Sequence, residues 1–182
     1  MIFGLWKSRR DEARIHAIYG EIVAQARQPV FYAELGVPDT LEGRFEMIVL
    51  HAFLYLHRLK NEPEEIKDVA QRVFDLMFAD MDRNLRELGV GDLSVPKKIK
   101  KMAQAFYGRT AAYDAALAEG AAALAEAVRR NVFDNAADAD DAATIAAYMK
   151  EAADALGGQP AADLATRGPV YPAVRLPQRS AT

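Results

Sequence analysis

Phe74, Met77, Phe78, Met81, Leu85 and Leu88 recur three and four residues apart. That spacing puts all six on one side of an α-helix; a strand, which alternates every second residue, would scatter them over both faces. Gly89 follows, the residue type that most readily takes the left-handed backbone at a helix end. Val90 to Leu93 make a short connection. Ser94 suits the N-cap of a second helix and Pro96 its first turn. Ile99, Met102, Ala103 and Phe106 are that helix's apolar stripe. The segment Phe74 to Arg109 therefore predicts a helical hairpin, around which the rest of the chain is expected to be organised.

The hairpin's charge is uneven. Asp75, Asp80, Asp82 and Glu87 share the first helix with Arg83 and Arg86. From Leu93 to Tyr113 there is no acidic residue, while Lys97, Lys98, Lys100, Lys101 and Arg109 are all present. A basic helix of this kind is either a solvated face or a docking surface for an anionic partner.

Elsewhere the pattern is also helical. Ile15, Ile18, Tyr19, Ile22, Val23 and Ala26 place a helix over Asp11 to Arg27, ended by Pro29. Gln28 to Asp39, with two prolines and Gly36, reads as a loop anchored by Phe31, Tyr32 and Leu35. Thr40 to Lys60 is the most apolar helix, capped by Asp39 or Thr40 and apolar around most of its circumference. Glu62-Pro63 breaks the pattern and Glu64 opens the next helix, so the two should lie antiparallel. Ala111 to Leu156 is Ala-rich and predicts two or three helices, broken near Gly120 and between Asn131 and Asp141. Small side chains bury little area each, so this half is expected to be held less tightly. Gly157 to Thr182 reads as an extended tail in which Tyr171, Val174 and Leu176 can lie along the domain or a partner. The expectation is an all-α chain: one compact domain of about six or seven helices over residues 1–156, and a Pro- and Gly-containing tail over 157–182.

Composition excludes several classes. The net charge of −3 and pI near 5.7 argue against a general nucleic-acid binder. The absence of cysteine removes disulfides, thiolate metal sites and cysteine nucleophiles. The longest apolar run, Met47 to Leu56, is interrupted by His51 and falls short of the ~18 residues of a membrane span. At the N-terminus, Ile2, Phe3, Leu5 and Trp6 precede Lys7, Arg9 and Arg10, the reverse of a signal peptide. They suit either a strap on the core or a shallow lipid contact.

The chemistry of catalysis is not visible. His51 and His57 are six apart, about 240° around a helix, so they do not converge on a metal. His51 lies among apolar residues and reads as a core histidine with a hydrogen-bond partner. Asp80 and Asp82 are about 200° apart and cannot form a carboxylate pair. Phosphate-binding glycine loops and the nucleophile-elbow motif are missing. The residues alone describe a helical binding protein, with no cofactor or metal called for. A small-molecule pocket between the Phe45–Leu59 and Phe74–Leu88 helices, or a peripheral membrane role for Ile2 to Arg10, are the alternatives.

The segments FYAELGVPDTLEGRFEMIVLHAFLYLHRL (Phe31 to Leu59) and FDLMFADMDRNLRELGVGDLSVPKKIKKMAQAFYGR (Phe74 to Arg109) resemble the ubiquinol–cytochrome c chaperone family, and of a compact bacterial type. The positions that match its motif are Asp80, Asp82, Arg83, Arg86, Gly89, Gly91, Asp92, Lys97, Lys100, Lys101, Met102, Phe106, Tyr107 and Arg109. The resemblance implies a non-catalytic assembly factor. It would bind cytochrome b or a related membrane-protein client while the ubiquinol–cytochrome c reductase, respiratory complex III, is built. For the Lys face, a ribosome or an anionic membrane surface is the alternative contact, and the expected location is cytoplasmic or peripheral at the inner face of the cytoplasmic membrane. The candidate partner-binding set is Asp80, Asp82, Arg83, Arg86, Lys97, Lys98, Lys100, Lys101, Phe106, Tyr107 and Arg109. A Met-rich groove for an apolar client would draw on Met47, Met77, Met81 and Met102, which helical spacing equally assigns to the core.

Overall fold

The structure, a computed structural model, describes residues 2–136 and 139–176, the side chains of residues 2–9 and 139 excepted. Every regular element among them is a helix. In order these are α1 (Ile2–Ala26), α2 (Pro29–Ala33), α3 (Leu41–Leu59), α4 (Glu64–Glu87), α5 (Val95–Glu119), α6 (Ala121–Phe133), α7 (Ala139–Gly157) and α8 (Ala161–Leu164).

The centre is α3, not the α4–α5 hairpin. α1, α4, α5, α6 and α7 all pack on it. Every residue from Phe45 to Tyr55 is buried. The physical reason is the one visible in the sequence: α4 has a single apolar stripe and can be covered from one side, whereas α3 is apolar all round and must be surrounded. Each fully buried Leu, Ile or Phe there contributes roughly 1.5–3 kcal/mol. Thr40 caps the helix, its Oγ1 accepting from Gly43 N at 3.1 Å. Gly43 is required by crowding: a Cβ there would lie 2.0 Å from the Pro38 carbonyl oxygen.

The α4–α5 connection forms largely as expected. Gly89 takes φ +80°. Its N–H donates to Arg86 O and the Val90 N–H to Leu85 O, the paired bonds of a Schellman motif. Pro96 lies in the first turn of α5, but the Ser94 side chain makes no cap. Instead the Ser94 and Val95 N–H groups both donate to Gly91 O, which closes the turn through the backbone.

Other expectations shift. α1 begins at Ile2, well before Asp11. The strap and lipid readings of Ile2, Phe3, Leu5 and Trp6 concern side chains outside the described residues. The segment expected to be a loop contains α2, because Pro29 occupies a first-turn position where its missing N–H costs nothing. Phe31 on that turn is fully buried. α5 runs through Gly108 to Gly120, so the change in composition after Gly108 is not a structural boundary.

The Ala-rich half is not loosely attached. α6 and α7 pack closely along each other, and Ile145, Tyr148, Met149, Ala152 and Leu156 of α7 are in the core. Alanine lets the helices approach, and the few large side chains then reach α3. Arg58 of α3 fastens the end of α7: its guanidinium donates to Leu156 O and Gln159 O, each at 3.1 Å, and pairs with Glu62. Residues 165–176 then run back over the domain. Gln159 holds Val170 through two hydrogen bonds, 2.7 and 3.0 Å. Tyr171 and Val174 pack against the core, while Leu176 is exposed.

Candidate partner-docking surface

The hairpin's arginines and acids are largely engaged with each other. Asp80 accepts from Tyr19 Oη of α1 at 3.1 Å, and pairs with Arg83 at 3.0 Å. It holds α1 against α4 and offers little to a partner. Burial and the Asp80 carboxylate both push the Tyr19 hydroxyl's pKa well up, so it stays a donor. Arg86 bridges Asp82 at 2.6 Å and Asp92 at 2.5 Å, bracing the α4 end against the turn.

Two candidates are turned toward the core, Phe106 buried and Arg109 half-buried. Phe106 is 3% exposed and meets Phe74 edge-on at 5.1 Å and Phe78 edge-on at 6.1 Å. It lies on the same stripe as Ile99 and Met102, which faces the core, so it backs the surface rather than standing exposed on it. Arg109 turns inward to form an ion pair with Glu46 of α3. Burial raises the Glu46 carboxyl to about 7, against the pull of the guanidinium. This pair escaped the sequence reading, although both halves left a trace. Glu46 is a lone acid in an otherwise apolar run, and Arg109 sits in a stretch with no acid of its own.

The remaining candidates are open. Lys97, Lys98, Lys100 and Lys101 are all exposed. Among the described residues none of the four has a carboxylate partner. Tyr107 is 61% exposed beside them on α5. It borders a shallow open cleft of about 230 Å³ whose apolar walls are Leu56, Leu59, Ala70, Phe74 and Phe106, with Lys60, Lys67 and Gln71 completing it. The α4–α5 turn adds Leu88, 63% exposed, and Leu93, 91% exposed. The methionine groove does not form: Met47, Met77 and Met81 are buried and Met102 half-buried.

His51 is a core group, as its setting suggested. Its Nδ1–H donates to Met47 O at 2.7 Å, which leaves Nε2 to accept from Tyr148 Oη at 2.9 Å. Tyr148 in turn accepts from Gln25. Phe31, Tyr148 and Tyr171 enclose the ring. Burial lowers its pKa to about 4, so it is neutral at pH 7. That packing is not the buried polar cavity, with His51 beside a carboxylate, that a small-molecule site there would need. His57 and Lys60 both hold Asp114 Oδ1 at 2.7 Å, an exposed staple between α3 and α5. No group of three or more His, Asp or Glu among the described residues is placed to bind a metal.

The family described as ubiquinol-cytochrome C chaperone matches residues 33–171, about three-quarters of the chain. The chain belongs to the ubiquinol-cytochrome c chaperone family. The family match takes in the central α3, the hairpin and the returning segment through Tyr171. Among relatives, the chain is 25% identical over 108 residues to ubiquinol-cytochrome-c reductase complex assembly factor 1 of Xenopus laevis, covering 59% of this chain and 54% of that protein. It is 25% identical over 131 residues to the Homo sapiens assembly factor 1, covering 72% and 43%. The chain thus spans about half the length of these curated relatives. The fold is similar to the crystal structure of the Cbp3 homolog from Brucella abortus, with a TM-score of 0.85 and 45% identity over 96% of this chain and 98% of that one.

Proposed function

We propose that this member of the chaperone family is a non-catalytic assembly factor for the ubiquinol–cytochrome c reductase, with cytochrome b or a related membrane protein as its client. Family membership and the assembly-factor relatives support the complex; cytochrome b as client is what the family resemblance implies. We place the client surface on the outer side of α5, from Lys97 to Tyr107 and into the neighbouring cleft. The observation that carries this is the contrast within one hairpin. Arg83 and Arg86 of α4 and Arg109 of α5 are each satisfied by the protein's own acids, whereas four lysines and Tyr107 of α5 are left to solvent. Stability alone does not call for this. Lys97 and Lys98 open α5, where the positive end of the helix dipole disfavours them. No described helix is long and apolar enough to cross a membrane. We place the meeting with the client at the inner face of the cytoplasmic membrane.

Cross-linking from α5 in cells, followed by recovery from detergent-solubilised membranes, tests the reading. Cytochrome b should be captured by the native chain and lost when Tyr107→Ala is combined with Glu at positions 97, 98, 100 and 101. Equal recovery by both would refute the proposed surface.

A further inference from the structure

The tip of the hairpin differs from the rest of this surface. Leu93 is the most exposed large apolar side chain in the described structure, and Leu88 lies across the same turn. The turn between them is rigid: the paired bonds at Gly89 and Val90 end α4, and Gly91 O closes the start of α5. Two aliphatic side chains are therefore held out in water by a well-defined backbone, at a cost that a Ser or Asn at either position would avoid.

Charge surrounds them. Between Asp82 and Lys101 there are three carboxylates and six cations. Two of those carboxylates, Asp82 and Asp92, are taken by Arg86, and Glu87 is exposed. The four lysines follow Leu93 within about 6–12 Å along α5, and span roughly 160° of the helix on the side opposite Val95, Ile99 and Phe106.

The geometry points to the α4–α5 tip as a docking site for an anionic lipid bilayer: Leu88 and Leu93 enter the headgroup–acyl boundary and the lysines sit on the lipid phosphates. Each part selects this occupant. Two exposed leucines beside four exposed lysines match a surface that is apolar below and anionic above, as the boundary of an anionic bilayer is. Single-stranded nucleic acid would be met by stacking aromatics, whereas the exposed side chains of the turn itself, Leu88 and Leu93, are aliphatic and Tyr107 lies further along α5. An overall charge of −3 repels an anionic surface everywhere except where a local basic patch overcomes it, which also sets the docking orientation. The inference takes from the assembly-factor reading only that the chain works at a membrane, and its test needs no client.

Purified full-length chain is floated with phosphatidylcholine vesicles, with and without about one-third phosphatidylglycerol. The native chain should bind the anionic vesicles at least about tenfold more tightly, and high salt should release it. Leu88→Ser with Leu93→Ser should weaken binding about tenfold. Changing all four lysines to Ala should abolish the preference for anionic lipid. These positions are exposed, so thermal melts should be unchanged. Because the chain has no cysteine, Leu93→Cys carrying an environment-sensitive fluorophore reports the tip alone. Its emission should shift to the blue on anionic vesicles. Binding that survives both sets of substitutions, a label that stays in water, or capture by single-stranded RNA in place of vesicles would each overturn the proposal. Loss of vesicle binding in the Leu88→Ser, Leu93→Ser variant with client recovery intact would separate this site from the client surface, which shares the lysines but not the two leucines.

Discussion

Glu46 and His51 lie on the same buried helix and titrate in opposing directions. Burial raises Glu46 from 4.5 to about 7, because ionising it inside the protein is costly even with Arg109 beside it. Its contribution to stability is therefore fully present below pH 4.5 and is lost as pH rises through about 7. Burial lowers His51 from 6.5 to about 4, so its contribution is present above pH 6.5 and is lost as pH falls through about 4. At about 1.4 kcal/mol per pH unit, each is worth about 3 kcal/mol across its window. Between pH 4.5 and 6.5 the two slopes nearly cancel, and the native chain should show little net dependence from this pair. Glu46→Gln mimics the protonated acid and removes one side of the balance. Urea unfolding followed by circular dichroism, repeated from pH 4.5 to 7.5, should show the variant gaining about 3 kcal/mol on the native chain as pH rises. Tyr113 is the other titratable group that faces Glu46, and its pKa lies far above this range. A constant difference would refute the reasoning. A difference that moved the other way would show that the Arg109 ion pair outweighs the cost of burial.

Further outcomes follow from the packing. Phe106→Ala should cost about 3–5 kcal/mol in chemical unfolding by opening a hole beside Phe74 and Phe78, while leaving the lysines exposed. Gly43→Ala should cost about 2–3 kcal/mol, since the Pro38 carbonyl must move to admit a methyl; a change below 0.5 kcal/mol would show that the segment yields freely. Lys97→Glu should leave the melting temperature unchanged or raise stability by about 0.3–1 kcal/mol, as the helix dipole favours an acid there; a clear loss would mean that the lysine supports the fold. Tyr171→Phe removes the hydrogen bond to His51 O and should cost about 1 kcal/mol in thermal unfolding.

Much of this architecture could be read from residue spacing. The stripes on α3, α4 and the first half of α5, the break at Glu62-Pro63 and the Gly89 helix end are local properties. They follow from one turn of backbone and the side chains it aligns. The exposure of the four lysines was legible for the same reason, because a row opposite an apolar stripe has nowhere to go but outward. Phe106 was visible as part of that stripe, which turns it toward the core.

What only the tertiary structure decided is which distant groups meet. Glu46 and Arg109 are 63 residues apart, and Tyr19 and Asp80 are 61 apart. Tyr19 belonged to an apolar stripe and Glu46 to an apolar run, but neither pattern named the partner it would meet. Helix periodicity states which residues share a face but not which helix that face will meet. The roles of Asp80 and Arg109 as ties between helices and the closure of Tyr171 over His51 depend on how the helices stack. That choice is made by summed burial over the whole chain, and no single segment contains it.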